Sequence, residues 1–374
     1  MNTTAMSLPR SALLGEVEQR IARKAAAHEG AARIPLTGYM ENIGWPELFG
    51  FRMAQYFDDP AFTIEQFLRQ QIWWADNVND ETQPSLTVPA DVGMYWDMTL
   101  FGQTVTHTDV GVPGFPAHPF RETPDLELLG QFDFATTGEM PRLLAKYEQM
   151  LTINARDYDG GLQITFPSFH RGPLDNYVQM RGYEGFINDL VERPEFVQAA
   201  LLHLVDERWR FAQARAAYLG KPLPDTTFVA DDWVNLPFIT PTFFREMVVP
   251  VYAHLRAREG PVTGFHTCGR LEAVTPDLLA VFPEMDWIDV SGWNDLCLLD
   301  AAVDPRIRFH VSIINTVSLS DAVEEQRGLL RQIAAVGQRR SVSVCAQAIV
   351  KLCPTYDETL ARLNRFLALA RKAL

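Results

Sequence analysis

Four cysteines in 374 residues are too few to build a disulfide scaffold, and they are expected to stay as thiols, available as ligands. No stretch approaches the roughly 18 uninterrupted apolar residues of a membrane span. The opening residues, MNTTAMSLPR, place no apolar run behind a basic start, so a secretory signal is not expected and the cytoplasm is the expected location. Positive charge is also scarce, with 33 Lys and Arg against 47 Asp and Glu and a net charge of -14. A surface for nucleic acid or anionic membrane needs clustered cations to neutralise phosphate, so both are set aside as partners. No G-x-G-x-x-G or Walker loop follows any candidate strand, which removes the usual sign of a nucleotide-binding fold.

What remains is the composition of a globular protein with a full core, 47% hydrophobic and 21% charged. No repeat or low-complexity linker divides the chain. One domain is expected over 1–374, with residues 1–83 as an N-terminal elaboration and 84–374 as the main fold. Apolar spacing predicts helices over Ser11 to His28, Phe62 to Val78, Glu139 to Arg156, Pro194 to Leu219, Thr240 to Arg258, Ser320 to Val336 and Tyr356 to Ala373. Pro60, Pro194 and Pro241 mark first turns, and Ser320 and Asp321 are candidate caps. β-branched and aromatic runs predict strands at Leu162 to Phe166, Thr226 to Ala230, Val262 to Phe265, Trp287 to Val290, Ile307 to Val311 and Ser341 to Val344.

This alternation implies repeated βα units and a parallel sheet. Polar residues cluster where the predicted strands end: Ser168 and His170, Asp231 and Asp232, His266 and Cys268, Ser291 and Asn294, Asn315, and Cys345. A closed (β/α)8 TIM barrel brings all such ends to one rim, where several strands serve one reactant, whereas an open sheet spreads them out. The barrel is therefore the expected fold. Tyr39 to Phe120, rich in Trp, Pro and Gly, is expected to be irregular and to lie beside or over the mouth.

The strongest local signal is Gly264-Phe265-His266-Thr267-Cys268-Gly269 at a predicted strand end. Residues two apart in an extended chain point the same way, so an imidazole and a thiolate can converge on one ion. Cys345 ends another predicted strand and reaches the same rim, with Cys353 as the alternative. Three soft or borderline donors and one open position are the pattern of catalytic zinc. Asp231 and Asp232 are candidate catalytic carboxylates, and alternation predicts that only one faces the barrel axis. His170, Ser291 and Asn315 are candidate reactant contacts. Cys297, Trp73, Trp74, Trp96 and Met98 read as packing.

From about Pro35 onward the chain resembles the uroporphyrinogen decarboxylase-like superfamily, and within it the cobalamin-linked methyltransferase branch. The resemblance is carried by Val229-Ala230-Asp231-Asp232-Trp233, Pro241-Thr242-Phe243-Phe244-Arg245-Glu246, His266-Thr267-Cys268-Gly269 and Ile288-Asp289-Val290-Ser291. Weaker likeness lies in Gln55 to Pro60, Leu100-Phe101-Gly102 and Gly172-Pro173-Leu174-Asp175. It implies a single-domain barrel with His266, Cys268 and Cys345 as zinc ligands, a corrinoid on a partner protein, and methyl transfer to or from a small substrate: a methyl ether, a methylamine-type donor or a thiol acceptor. Ala346 to Thr355 departs from the family pattern and contains a second cysteine.

The decarboxylase branch, the alternative activity, resembles a pattern with an Arg-rich N-terminal segment. Here that region reads Met40-Glu41-Asn42-Ile43-Gly44-Trp45-Pro46-Glu47. A non-catalytic barrel holding a metal or small molecule is the alternative from another class.

Overall fold

The computed structural model describes residues 2–28, 34–109, 113–130, 132–169 and 171–374. Among the described residues eight strands follow one another: β1 Leu36–Met40, β2 Thr87–Pro89, β3 Gln163–Thr165, β4 Thr227–Ala230, β5 Val262–His266, β6 Trp287–Ser291, β7 Arg308–Ile314 and β8 Val342–Ile349. All pair in parallel, as a six-stranded sheet ordered β1-β8-β7-β6-β5-β4 and a two-stranded sheet of β2 and β3. Helices fill every connection, as parallel pairing requires.

This is the cyclic strand order of an eight-stranded barrel, opened at two seams that carry no ladder among the described residues. Between β1 and the chain leading into β2, the amide of Glu81 donates to Leu36 O at 2.7 Å, and Thr82 Oγ1 bonds Gly38. Between β3 and β4, a lone bridge joins Arg171 to Ala230.

The predicted helices form within a few residues of their expected bounds, and the reasons are local. The helix Pro60–Asn77 starts on Asp59, whose carboxylate accepts from the amides of Ala61 at 3.0 Å and Phe62 at 3.1 Å. It buries Ile64, Leu68 and Ile72 at a four-residue spacing, with Trp73 meeting Trp45 edge to face at 5.6 Å. Trp74 and Met98 are buried as well. In the connection from β4 to β5 a π-helical turn at Phe244–Val248 precedes Val249–Glu259, where Pro250 removes a backbone donor.

Three expectations are corrected. β1 lies inside the segment 1–83 and pairs with β8, so the sheet begins there and not after residue 83. Cys297 is exposed, because Leu296 and Leu299 take the buried positions of their short helix. The helix after β7 starts at Val323 without a side-chain cap: Ser320 Oγ accepts from the Ala322 amide, and Asp321 pairs with Arg362 and Arg365.

Alternation along the strands divides the sheet. Ile288 and Val290, Phe309, Val311 and Ile313, and Val344 and Ala346 are buried on one face. The other face is built in rungs. Phe228, Gly264 and Trp287 share the lowest, with the rings of Phe228 and Trp287 stacked at 5.1 Å. A Cβ on Gly264 would stand 2.3 Å from the Trp287 ring, so the bare backbone admits the indole. Ala230, His266, Asp289, His310 and Ser343 form the next rung, and Ser291, Ser312, Cys345 and Thr37 the one above.

Candidate metal centre and adjoining cavity

The chain between β4 and its following helix opens with two aspartates that point opposite ways. Asp231 is fully buried and turns outward, where its carboxylate accepts from the amides of Asp175 at 2.7 Å and Leu174 at 3.3 Å and from the Tyr252 hydroxyl at 2.9 Å. It thereby satisfies the first amides of the helix Pro173–Arg181. Gly172 permits this approach, since a Cβ there would lie 2.3 Å from the Asp231 carboxylate. Asp231 is thus a brace between elements, and Asp232 is the carboxylate that reaches the site.

His266 ends β5 between two carboxylates. Its Nδ1 lies 2.6 Å from Asp289 Oδ2, and its Nε2 lies 3.3 Å from Asp232 Oδ1 and 3.6 Å from Cys268 Sγ. The Cys268 amide donates to Asp232 Oδ1 at 3.0 Å, tying the two residues together. Among the described residues, Asp232, His266 and Cys268 are the group able to hold a metal ion, with one donor atom from each within 4.8 Å of the others. Burial alone lowers the His266 pKa, but the hydrogen bonds to Asp232, Asp289 and Cys268 outweigh it and lift it to about 12. Burial raises the Cys268 thiol, and His266 pulls the other way. Both effects favour the protonated imidazole and the thiol over the neutral ring and the thiolate in the metal-free pair.

The loop that carries Cys268 is braced from both sides. Thr267 Oγ1 donates to Val234 O at 2.9 Å, and Ser291 Oγ and Asn294 Nδ2 donate to Gly269 O at 2.9 and 3.0 Å. A Cβ on Gly269 would meet Asn235 at 2.3 Å, so glycine is needed for the close contact. Ser291, expected to touch a reactant, is wholly buried in this bracing role. Asn315 bonds the carbonyl of Ala348, which has a left-handed conformation, and so fixes the end of β8. His170 lies outside the described residues.

The second sulfur is not in the group. Cys345 stands one rung higher than His266 and three strands away, on the same inner face, with Thr37 and Asp289 as its electrostatic neighbours. Desolvation raises its thiol to about 11. Cys353 is buried beyond β8, where its amide meets Thr359. The donor gathered with His266 and Cys268 among the described residues is instead the Asp232 carboxylate, which the hydrogen bond from the Cys268 amide holds there.

Asp289 was missed as a site residue. The alternation of Trp287-Ile288-Asp289-Val290-Ser291 sets it on the polar inner face, beside His266 in register, and that signal was available. Its second oxygen is buried with no hydrogen-bond partner among the described residues.

A cavity of about 530 Å³ opens next to this group. Its walls include Asp232, His266, Arg171, Asp175, Glu41, Asp91 and Asp97, together with Tyr39, Tyr95, Trp96 and Phe228. Arg171 is held by Asp97 at 2.9 Å and Asp175 at 2.7 Å, over the face of Tyr95. Burial, offset by Arg171, leaves the Asp175 carboxyl raised to about 6.

A methyltransferase from Methanosarcina mazei has a similar fold. The two superpose with a TM-score of 0.59 at 14% identity, over 95% of this chain and 98% of that one. At that identity the likeness is one of fold. No protein-family model matches the chain, and no curated protein matches it in sequence. No helix of the described residues is long and apolar enough to cross a membrane.

An imidazole, a thiol and a carboxylate are a donor set that zinc accepts. With Nδ1 engaged by Asp289, His266 presents Nε2 to the other two donors, the arrangement in which an outer carboxylate fixes the tautomer of a metal-binding histidine.

Proposed function

We propose that this chain is a methyltransferase that holds zinc through His266, Cys268 and Asp232 and moves a methyl group between a small reactant and a corrinoid carried by a partner protein. The observation that carries the reading is the nitrogen, sulfur and oxygen donor group gathered within 4.8 Å, two of whose members, Asp232 and His266, line the adjoining cavity. Three protein donors leave a tetrahedral ion one position for a reactant. The fold likeness to a methyltransferase and the barrel-like strand order support the same reading, with the sheet taken as a (β/α)8 barrel of the uroporphyrinogen decarboxylase-like type whose two seams are bridged by a few isolated hydrogen bonds.

Bound there, zinc would act as a Lewis acid on a leaving heteroatom or keep an acceptor thiol ionised at neutral pH. The chain's own residues do the rest. Asp289 accepts from Nδ1 and holds the ring in one orientation. Asp232 fixes the Cys268 backbone while presenting its carboxylate to the cavity.

A corrinoid protein must dock at the mouth, and large apolar side chains are exposed in the loops after the strands: Phe238 after β4, Trp293 after β6 and Leu352 after β8. Carboxylates around the cavity argue against a polycarboxylated tetrapyrrole as substrate.

The test is elemental analysis of the purified protein, with methyl transfer to or from free cobalamin followed by absorbance. Wild type is expected to carry one zinc per chain, and Cys268→Ser to lose it along with at least about 100-fold in transfer rate. Full transfer activity in metal-free protein would overturn the assignment.

A further inference from the structure

A second cavity, of about 290 Å³, lies at the seam between β1 and β2. It adjoins the chamber beside the metal centre, since Tyr39, Asn42 and Asp91 belong to the walls of both. Its volume falls at the low end of small-molecule sites, roughly 300–1,000 Å³, and suits a single-ring molecule. Aromatic rings stand around it, from Trp45, Tyr56, Phe67 and Trp74 together with Tyr39. Trp74 is fixed in place. Its Nε1 donates to Asp80 Oδ2 at 3.0 Å, and Gly38 gives its ring room, because a Cβ there would lie 2.7 Å from it.

Several polar groups on this wall are engaged within the protein. Gln71 Oε1 accepts from the Ser85 amide at 3.0 Å, Thr82 Oγ1 bonds Gly38, and Asn42 Nδ2 donates to Asp91 Oδ2 at 3.3 Å. The side-chain amide of Gln70 and the hydroxyl of Tyr56 instead have no hydrogen-bond partner among the described residues, although Gln70 is only 6% exposed and Tyr56 only 4%. Burying an amide without a partner is unfavourable, and a glutamine amide offers donors and an acceptor in one plane. Burial, with Asp91 and Tyr39 nearby, pushes the Tyr56 hydroxyl up, so it stays uncharged. Asp91 is the one carboxylate on the wall, and Lys146 is its charge neighbour. Nothing in this lining calls for an ion.

We propose that this cavity binds an uncharged single-ring aromatic molecule that carries a donor and an acceptor side by side, as a primary carboxamide does. The ring lies among Trp45, Phe67 and Trp74, and the polar edge pairs with Gln70 and Tyr56. This site goes beyond the methyl-transfer reading and does not depend on it. The carbonyl of such an edge takes an N–H of Gln70 while its own N–H returns a bond to Gln70 Oε1, so both amides are satisfied at once. A ketone completes only half of that pairing, and a carboxylate sets an anion against Gln70 Oε1.

Calorimetric titration of the full chain with benzamide, acetophenone and benzoate, which share a ring and differ at the polar edge, tests the proposal. Benzamide is expected to bind at least about ten-fold more tightly than either of the others. Gln70→Leu, which breaks no hydrogen bond within the protein, should bring benzamide and acetophenone to within about two-fold of each other, with melting temperature as the check on folding. Tyr56→Phe keeps the ring and should weaken benzamide at least about three-fold, and it decides the matter if Gln70→Leu does not fold. Cys268→Ser, altered at the metal centre, should bind benzamide as wild type does. No benzamide binding at millimolar concentration, which leaves water as the partner of Gln70, overturns the proposal. So does equal binding of the ring compounds, a preference that survives Gln70→Leu in folded protein, unchanged benzamide affinity in Tyr56→Phe, or loss of benzamide binding in Cys268→Ser. Since these titrations read neither zinc nor methyl transfer, such a failure leaves the zinc assignment standing.

Discussion

The Nδ1 of His266 lies 2.6 Å from Asp289 Oδ2, while Oδ1 of the same carboxylate is buried with no hydrogen-bond partner among the described residues. A buried carboxylate that makes one strong bond and leaves an oxygen unused is held there for its neighbour. Asp289→Asn should therefore weaken zinc binding by about 10–100-fold through a misoriented ring, with the fold retained. Chelator competition measures it. Wild-type affinity in the variant would show that Asp289 does not orient the ligand.

The third metal donor separates two arrangements of the same strands. Asp232 is inside the donor group and Cys345 is outside it. Asp232→Asn is expected to lower zinc occupancy to a small fraction of wild type, and Cys345→Ser to leave it near one per chain. Elemental analysis reads both, and loss of zinc on removing the Cys345 sulfur would return the site to the two-thiolate set.

Zinc affinity should climb steeply with pH. The metal-free site carries a proton on His266, whose pKa is lifted to about 12, and one on Cys268, whose thiol is raised. Both must leave when the donors bind metal, so the bound state holds fewer protons and rising pH favours it. With two protons released, the binding constant should increase about 100-fold per pH unit between roughly pH 7 and 8. Competition titrations at several pH values test this, and a slope near zero would mean that these two groups are not the ligands.

A buried arginine ties together the opposite end of the strands. Arg340 is buried just before β8, where it pairs with Asp300 and donates to the carbonyls of Asp300, Val303, Asp304 and Ile307, with its guanidinium 4.1 Å from the centre of the Phe309 ring. Arg340→Leu leaves these acceptors without a donor and should cost about 3–5 kcal/mol in denaturant unfolding. Zinc content of the folded fraction should not change.

Much of this arrangement was legible in the residues. Long helices with apolar stripes, and the strands from β3 to β8, announce themselves by period and by β-branched content. The opposite orientations of Asp231 and Asp232 follow from alternation alone. β1 was hidden because Leu36-Thr37-Gly38-Tyr39-Met40 contains a glycine and little β-branching, and its burial comes from pairing with β8, which lies some 300 residues away in the chain. β2 is three residues long and ends in Pro89, too short for any period to register. The donor group was only half readable: His-x-Cys declares itself locally, but the approach of Asp232 depends on how the chain turns after β4.

The two unladdered seams divide the wall of the chamber between separate supports. Tyr39 and Glu41 at one edge, and Asp232 and His266 at the other, ride on or beside the six-stranded sheet, whereas Asp91 to Asp97 hang from the end of β2. On the zinc reading, the donor group and the Asp91 to Asp97 wall would rest on different sheets, so substitutions in the β2 panel are expected to alter reactant binding while zinc content stays unchanged.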